Sequence, residues 1–160
     1  MNNILKLSLA AVAIAALSAC GGGGGSSDAA DAYVGNWKSN CYSYVSTSGG
    51  TYYTNQVMSL NKASAAVLAA TFSNATAYSD SACKIALGAL TASSPANISL
   101  GADITYSGAA AKAMVMTLAD GQARQGFITA NATNLNFVVT GTDGKLPTSG
   151  WGAASPYTKQ

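Results

Sequence analysis

The sequence predicts an all-β chain: a small antiparallel up-and-down barrel of about eight strands, with a β-sandwich as the alternative. Three observations predict it. Runs in which polar and apolar residues alternate recur every 8–15 residues or so. Turn residues separate these runs, at Ser48-Gly49-Gly50, Ser107-Gly108, Asp120-Gly121 and Gly141-Thr142-Asp143-Gly144. Only 9% of residues are charged, with Ser, Thr, Asn and Tyr abundant, which suits a β-domain with an uncharged polar surface. No internal repeat of about 20–50 residues is visible.

Taken in order, residues 33–45 read as a first strand. Trp37, Ser39, Cys41, Ser43 and Val45 fall on one face, and Lys38, Asn40, Tyr42 and Tyr44 on the other. Residues 51–61 read as a second, with Tyr52, Thr54, Gln56, Met58 and Leu60 sharing a face. Residues 62–70 are Ala-rich, which favours helix. The β-branched and aromatic character that follows nevertheless points to a strand over 66–78. A short strand is expected over 81–87, holding Cys83, then a loop over 93–97 around Pro95 and a strand over 98–106. In 111–119, Met114, Met116 and Leu118 alternate with Val115 and Thr117, and 123–129 alternates again. Asp120-Gly121 between them is a strong hairpin signal. Residues 131–134 turn into a strand over 135–140. The tail, 145–160, carries Trp151, Tyr157 and two prolines and reads as irregular or as a closing edge strand.

Ahead of the β-domain, 1–6 form a short n-region with one Lys, and 7–17 an apolar stretch in which Ser8 is the only polar residue. That stretch is shorter than the roughly 20 residues a membrane-spanning helix needs. Leu17-Ser18-Ala19-Cys20 then resembles the lipobox of bacterial lipoproteins. The resemblance implies cleavage before Cys20, diacylation of its thiol and acylation, as by palmitate, of the new amine. It implies a protein held to a membrane by its N-terminal lipid. Gly21 is not Asp, which in the sorting pattern of such lipoproteins favours the outer membrane, on its periplasmic face or at the cell surface. Glycines 21–25 with Ser26 and Ser27 read as a tether. They do not read as a phosphate loop, because no Lys-Ser/Thr follows. The expected organisation is a signal peptide over 1–19, acylated Cys20 and tether over 20–32, and one β-domain over 33–160. A domain of roughly 130 residues can bury about two-thirds of its unfolded surface, enough for a core without metals.

Gly35-Asn36-Trp37, at the start of the first strand, looks like the lipocalin signature. In that family the Trp packs across the closed end of an eight-stranded barrel, and an Arg from near the last strand covers it. The only Arg here is Arg124, and Thr142-Asp143 lacks the Tyr of the family's second block. The chain is also similar to the small lipocalin-like lipoproteins of proteobacteria, a resemblance that implies a fold and no particular activity.

If Cys20 takes lipid, Cys41 and Cys83 remain, an even pair in an exported protein, and a disulfide is expected between them. It would close a loop of about 43 residues, worth roughly 4 kcal/mol in the chain-entropy model. The chain has no His and no Glu, which removes the commonest general acid/base and the commonest nitrogen ligand for metals. No metal, no cofactor and no enzymatic activity are expected. Ser59 to Lys62 and Ser81 to Lys84 match the Ser-x-x-Lys of penicillin-recognising enzymes, but both fall in strand or turn context with no Lys-Thr-Gly after them. Asp80, Asp103, Asp120 and Asp143 lie near turns, where Asp bonds its own backbone. The formal charge is +2 with basic residues scattered singly, so no nucleic acid is expected as a partner.

The function expected is binding. The leading expectation is a ligand, such as a hydrophobic small molecule, in the interior or mouth of the barrel. Small side chains dominate several strands, so the barrel is either narrow and filled or holds a cavity. The alternative is a protein-interaction or envelope-assembly module, with an envelope protein as partner. Its surface would be Tyr42, Tyr44, Tyr52 and Tyr53 on the first hairpin, residues that equally suit a strand for their β-propensity.

Overall fold

The computed structural model describes residues 28–45, 49–140, 145 and 156–160. The expected signal peptide, Cys20 and most of the tether lie outside the described residues, as do the 141–144 turn and Trp151. The described chain starts with one turn of 3-10 helix, Asp31–Tyr33. Ten strands follow: β1 (Gly35–Ser39), β2 (Tyr42–Val45), β3 (Thr51–Thr54), β4 (Gln56–Ser64), β5 (Val67–Tyr78), β6 (Ala86–Tyr106), β7 (Ala109–Leu118), β8 (Ala123–Ala130), β9 (Asn134–Val139) and β10 (Tyr157–Lys159).

Eight of them close an antiparallel barrel in the order β1-β4-β5-β6-β7-β8-β9-β10, with β10 returning to β1. Apart from the inserted β2–β3 hairpin this is chain order, an up-and-down path; the sandwich alternative does not occur. Closure removes the free edges that an open sheet would expose. The hairpin adds to the far end of β5, where Tyr53 opposes Tyr78. With β5 and β6 it makes a four-stranded sheet standing beyond one end of the barrel.

The core follows the period of two. Trp37, Met58, Leu60, Leu68, Ile98, Met114, Met116, Ile128, Leu135 and Phe137 come from inward positions of successive strands and pack as one buried cluster. Fully burying one such side chain contributes about 1.5–3 kcal/mol. Between Leu100 and Asp103 β6 spends an extra residue against β7, so the side chains beyond it change face. Tyr106 and Ala111 then form a second cluster with Val138, and the Tyr106 ring lies 4.4 Å from that of Phe127. Gly126 faces a close approach: a Cβ there would collide with the Val138 carbonyl oxygen and with Met114 Cε.

Several expectations change. The strand expected over 33–45 breaks at Asn40-Cys41, so β1 enters the barrel and β2 the outer sheet. The strand over 51–61 breaks at the buried Asn55. Of the short strand expected over 81–87, 86–87 open β6 and 81–85 are instead a turn built by Asp80, whose carboxylate accepts hydrogen bonds from the backbone N–H groups of Ala82, Lys84 and Ile85. The loop around Pro95 is part of β6. It is tolerated there because pairing with β7 ends at Ala96, leaving β6 paired on one side. The described end of the tail, Tyr157–Lys159, is not an edge: it sits between β1 and β9.

Candidate functional site

The two ends of the barrel are built differently. At one end the N-terminal turn lies across the opening. Trp37 Nε1 donates to the Tyr33 carbonyl at 2.8 Å, and the Ala30 N–H donates to the Ala65 carbonyl at 3.1 Å. Lys62 holds the turn from β4 by ion pairs to Asp28 and, at 2.8 Å, to Asp31. The hydrogen bond from Lys62 holds the Asp31 carboxyl below its ordinary value. The hydrogen bonds to Asp28 and then Asp31 hold the Lys62 ammonium above its own.

Gly35 and Trp37 both belong to this closure. Lys159 Nζ lies 5.2 Å from the Trp37 ring centroid, within cation–π range. Gly35 has φ +145°, and a Cβ there would come 2.9 Å from Lys159 Cε. Glycine is what lets the lysine lie over the indole. The sequence reading looked for an Arg in this role and missed Lys159. Its signal was a cation at the end of the chain, two positions after an aromatic residue.

Inside this end the barrel is filled. Trp37, Met58, Leu60, Leu68, Ile98, Ile128 and Leu135 have essentially no accessible surface, so no water-sized void touches them. The choice left open by the sequence, filled or hollow, resolves here to filled. An apolar depression of about 260 Å³ is present, but it opens to solvent in the wall of β6, β7 and β8, around Gly101, Ala113 and Gly126.

The other end is aromatic and polar: β2, β3 and β5 bring it no charged residue, and on β8 Arg124 donates to the Thr140 carbonyl at 3.4 Å. Tyr157 is buried on β10 and its hydroxyl donates to Gln56 Oε1 at 2.7 Å. The Tyr42 hydroxyl donates to Asn74 Oδ1 on β5 at 3.4 Å. Burial, and then the nearby Tyr42 phenol, push Tyr157 far above the ordinary tyrosine range. Burial raises Tyr42 as well. Phe72 and Phe137 pack beneath, with ring centroids 5.7 Å apart. Above, Tyr44 opposes Tyr52 in the β2–β3 ladder, their rings 5.1 Å apart. Tyr44 is 40% exposed and Tyr52 less so.

Of the four tyrosines singled out from the sequence, three come together. Tyr42, Tyr44 and Tyr52 share one face with Thr54, while Tyr53 points to the opposite face with Ser43. Gln56, Asn74 and Tyr157 were missed. Gln56 could have been found, since it continues the Tyr52-Thr54 face at a spacing of two. Tyr157 is more than a hundred positions away in the chain and carries no such signal.

The outer sheet is fixed over this mouth by the disulfide Cys41–Cys83, with Cα atoms 5.8 Å apart. It ties the β1–β2 break to the Asp80 turn. Hydrogen bonds from the backbone N–H groups, that of Ile85 first, hold the Asp80 carboxyl below its usual value. Cys83 itself has φ 55°, a left-handed conformation that the turn must hold in place.

The two Ser-x-x-Lys matches make no site. Ser59 and Lys62 stand three apart on β4 and so face opposite ways, and Ser81 and Lys84 lie in the Asp80 turn. Asp80 and Asp120 bond local backbone N–H groups, as their turn positions suggest. Asp103 instead pairs with Lys112 at 2.7 Å. Among the described residues no group of three or more Asp and Cys could hold a metal ion. Among them, too, no helix is long and apolar enough to cross a membrane. No known protein family, curated protein or solved structure matches this chain.

Proposed function

We propose that the chain is a lipid-anchored envelope protein, held to the outer membrane through Cys20, whose barrel binds a ligand at its open, tyrosine-lined mouth. The observation that carries this reading is the contrast within the bore. The closed half is filled, and the mouth presents Tyr42, Tyr44 and Tyr52 above the Gln56 and Asn74 amides. A filled bore leaves no depth for a long acyl chain, so the ligand is taken shallowly. The reading is binding and not catalysis: the sequence has no His and no Glu, and among the described residues of the mouth no nucleophile lies beside a base. The anchor rests on the resemblance of Leu17-Ser18-Ala19-Cys20 to a lipobox.

Two measurements test it. Wild type and Cys20→Ala are compared by membrane fractionation and by protease shaving of whole cells. Wild type should fractionate with the outer membrane and the variant should not, and shaving reports the side. Anilinonaphthalene sulfonate, a fluorescent apolar probe, should bind the protein and lose most of its signal with Tyr44→Ala. Signal indifferent to that change would remove the mouth as the site.

A second reading has its own observation. Val45 on β2, Leu87 on β6 and Ile85 in the Asp80 turn are all more than 60% exposed, and β2 is the last strand of the outer sheet, so a protein partner could add there. In-cell cross-linking of a specific partner, lost with Val45→Lys and kept with Tyr44→Ala, would favour that reading.

A further inference from the structure

We infer that the mouth takes a small organic anion, a carboxylate carried on a flat apolar body, and that Arg124 is its counter-ion. The inference rests on the mouth being a binding site and names the ligand class.

Arg124 is the one Arg of the chain. It stands on β8 opposite Met116, in register with the inward Gly126 and Ile128, and it is half-buried. Its described partner is a backbone carbonyl, that of Thr140, 3.4 Å from Nη1. A charge held against an apolar core is normally paired, yet the described Asp side chains are all engaged elsewhere. Asp28 and Asp31 hold Lys62, and Asp103 holds Lys112. Asp80 and Asp120 accept backbone N–H groups of their own turns. Residues 39–61 and 63–79, which supply β2, β3, the start of β4 and all of β5, contain no charged residue. The fold therefore places a cation at the mouth and, among the described residues, pairs no carboxylate with it.

The surroundings define the rest of the ligand. Phe72, Leu118 and Val139 are partly buried hydrophobics packed against the core cluster, and the Phe72 ring lies 5.7 Å from that of Phe137. In apolar surroundings water screens an ion pair less than on an open surface, so a guanidinium–carboxylate contact is stronger there. A guanidinium also meets a carboxylate through two parallel N–H···O bonds, which an ammonium cannot match. In the barrel order β8 and β5 lie on different sides of the bore. A ligand held at Arg124 by its carboxylate thus lays its body across the opening, toward Phe72 on β5 and the Tyr44–Tyr52 pair beyond. Because the bore below is filled, that body is short and flat, and an acyl chain threaded inward is excluded.

The test uses full-length protein in a non-ionic detergent, with protein-free micelles as the blank. Isothermal titration calorimetry at pH 7 compares 2-naphthoate with 2-naphthamide, which has the same shape and no charge. The naphthoate should bind saturably and the amide about tenfold more weakly, equivalent to about 1.4 kcal/mol. Arg124→Met keeps the apolar stem and should bring the two probes to equal affinity, whereas Arg124→Lys should keep part of the preference. Unchanged near-ultraviolet circular dichroism shows that the variants are folded. The inference is overturned if the amide binds as well as the naphthoate, or if Arg124→Met leaves the preference intact. It is equally overturned if the naphthoate binds only once Asp143→Asn has removed the sixth Asp, since Arg124 would then already have its counter-ion. Equal binding of both probes, lost with Tyr44→Ala, keeps the mouth as a site and rejects only the ligand class. If neither probe binds, the inference falls and anilinonaphthalene sulfonate decides the mouth: signal lost with Tyr44→Ala keeps it as a site, and no signal removes it too.

Discussion

The closed end and the open end of this barrel are made from the same alternating strands, yet they use opposite chemistry. The closed end combines large apolar side chains, one indole and every described ion pair that involves the N-terminal turn. The open end has phenols, carboxamides and Arg124 on β8, with no charge along β2, β3 or β5. Ion pairs latch a segment in place and aromatic rings fill space, so the first arrangement is that of a plug. Partly exposed rings over amides whose oxygens are fixed stabilise little by themselves. The difference teaches which end is for stability and which for recognition, and it can be broken experimentally: closed-end variants should cost stability and open-end variants should cost binding.

The largest effect is expected at Trp37. Its side chain is fully buried, its N–H is satisfied by Tyr33, and Lys159 lies over its ring. Trp37→Ala should cost about 3–5 kcal/mol from the cavity and the lost transfer energy. Urea denaturation of the variant measures it. A loss below about 1 kcal/mol, within the range of ordinary surface changes and mild ones, would mean that the plug and not the indole closes this end.

The disulfide comes next, and it sharpens the comparison because it acts at the open end on stability. In the chain-entropy model the Cys41–Cys83 loop is worth about 4 kcal/mol. Cys41→Ser with Cys83→Ser should lower the urea midpoint by that amount or somewhat less. Amide hydrogen exchange should speed up first in β2 and β3, whose strand pairing to the barrel runs through β5 and which this bridge holds in place. Uniform acceleration across β7 to β9 instead would show that the outer sheet is one cooperative unit with the barrel.

How much of this was legible in the sequence depends on the range of the interaction. The all-β class, the β7–β8 hairpin at Asp120-Gly121 and the Cys41–Cys83 pair could be read from local alternation, turn chemistry and cysteine parity. The breaks at Asn40-Cys41 and Asn55 could not, because alternation carries straight through both. Only the demand that β1 lie between β4 and β10, while β2 lies beside β3, separates the pieces. For the same reason Pro95 read as a loop residue: its tolerance depends on where β7 stops. The site was half legible. Tyr42, Tyr44 and Tyr52 stood out as a cluster, but their hydrogen-bonding floor comes from β5 and from Tyr157 on β10, distant in the chain.

The smallest effect, and the one with a defined pH signature, is at the latch. Asp31 has its folded pKa lowered by Lys62, so its contribution is present above the unfolded value of 3.8 and is lost as pH falls through the lower folded value. Lys62 has its folded pKa raised by Asp28 and Asp31, so its contribution is present below 10.5 and is lost as pH rises through the higher folded value. Between those limits the latch is intact. Lys62→Met should therefore lower the melting temperature slightly near pH 7, less than either change above, since exposed ion pairs are screened. The difference from wild type should shrink at both pH extremes and on adding salt. Asp80 complicates the acid limb, because its own carboxyl is held low by backbone N–H groups and also weakens the fold when protonated. Asp80→Asn separates the two. It removes the acid sensitivity of the disulfide turn and leaves the alkaline limb, which belongs to Lys62 and to the phenols of Tyr33, Tyr42 and Tyr157, each raised by burial. Those buried phenols also lose their contribution from about pH 10 upward, where the unfolded chain ionises first. An alkaline limb that survives Lys62→Met but shifts with Tyr157→Phe would assign it to the open end, and the plug would then be held by packing around Ala30, Tyr33 and Trp37 alone.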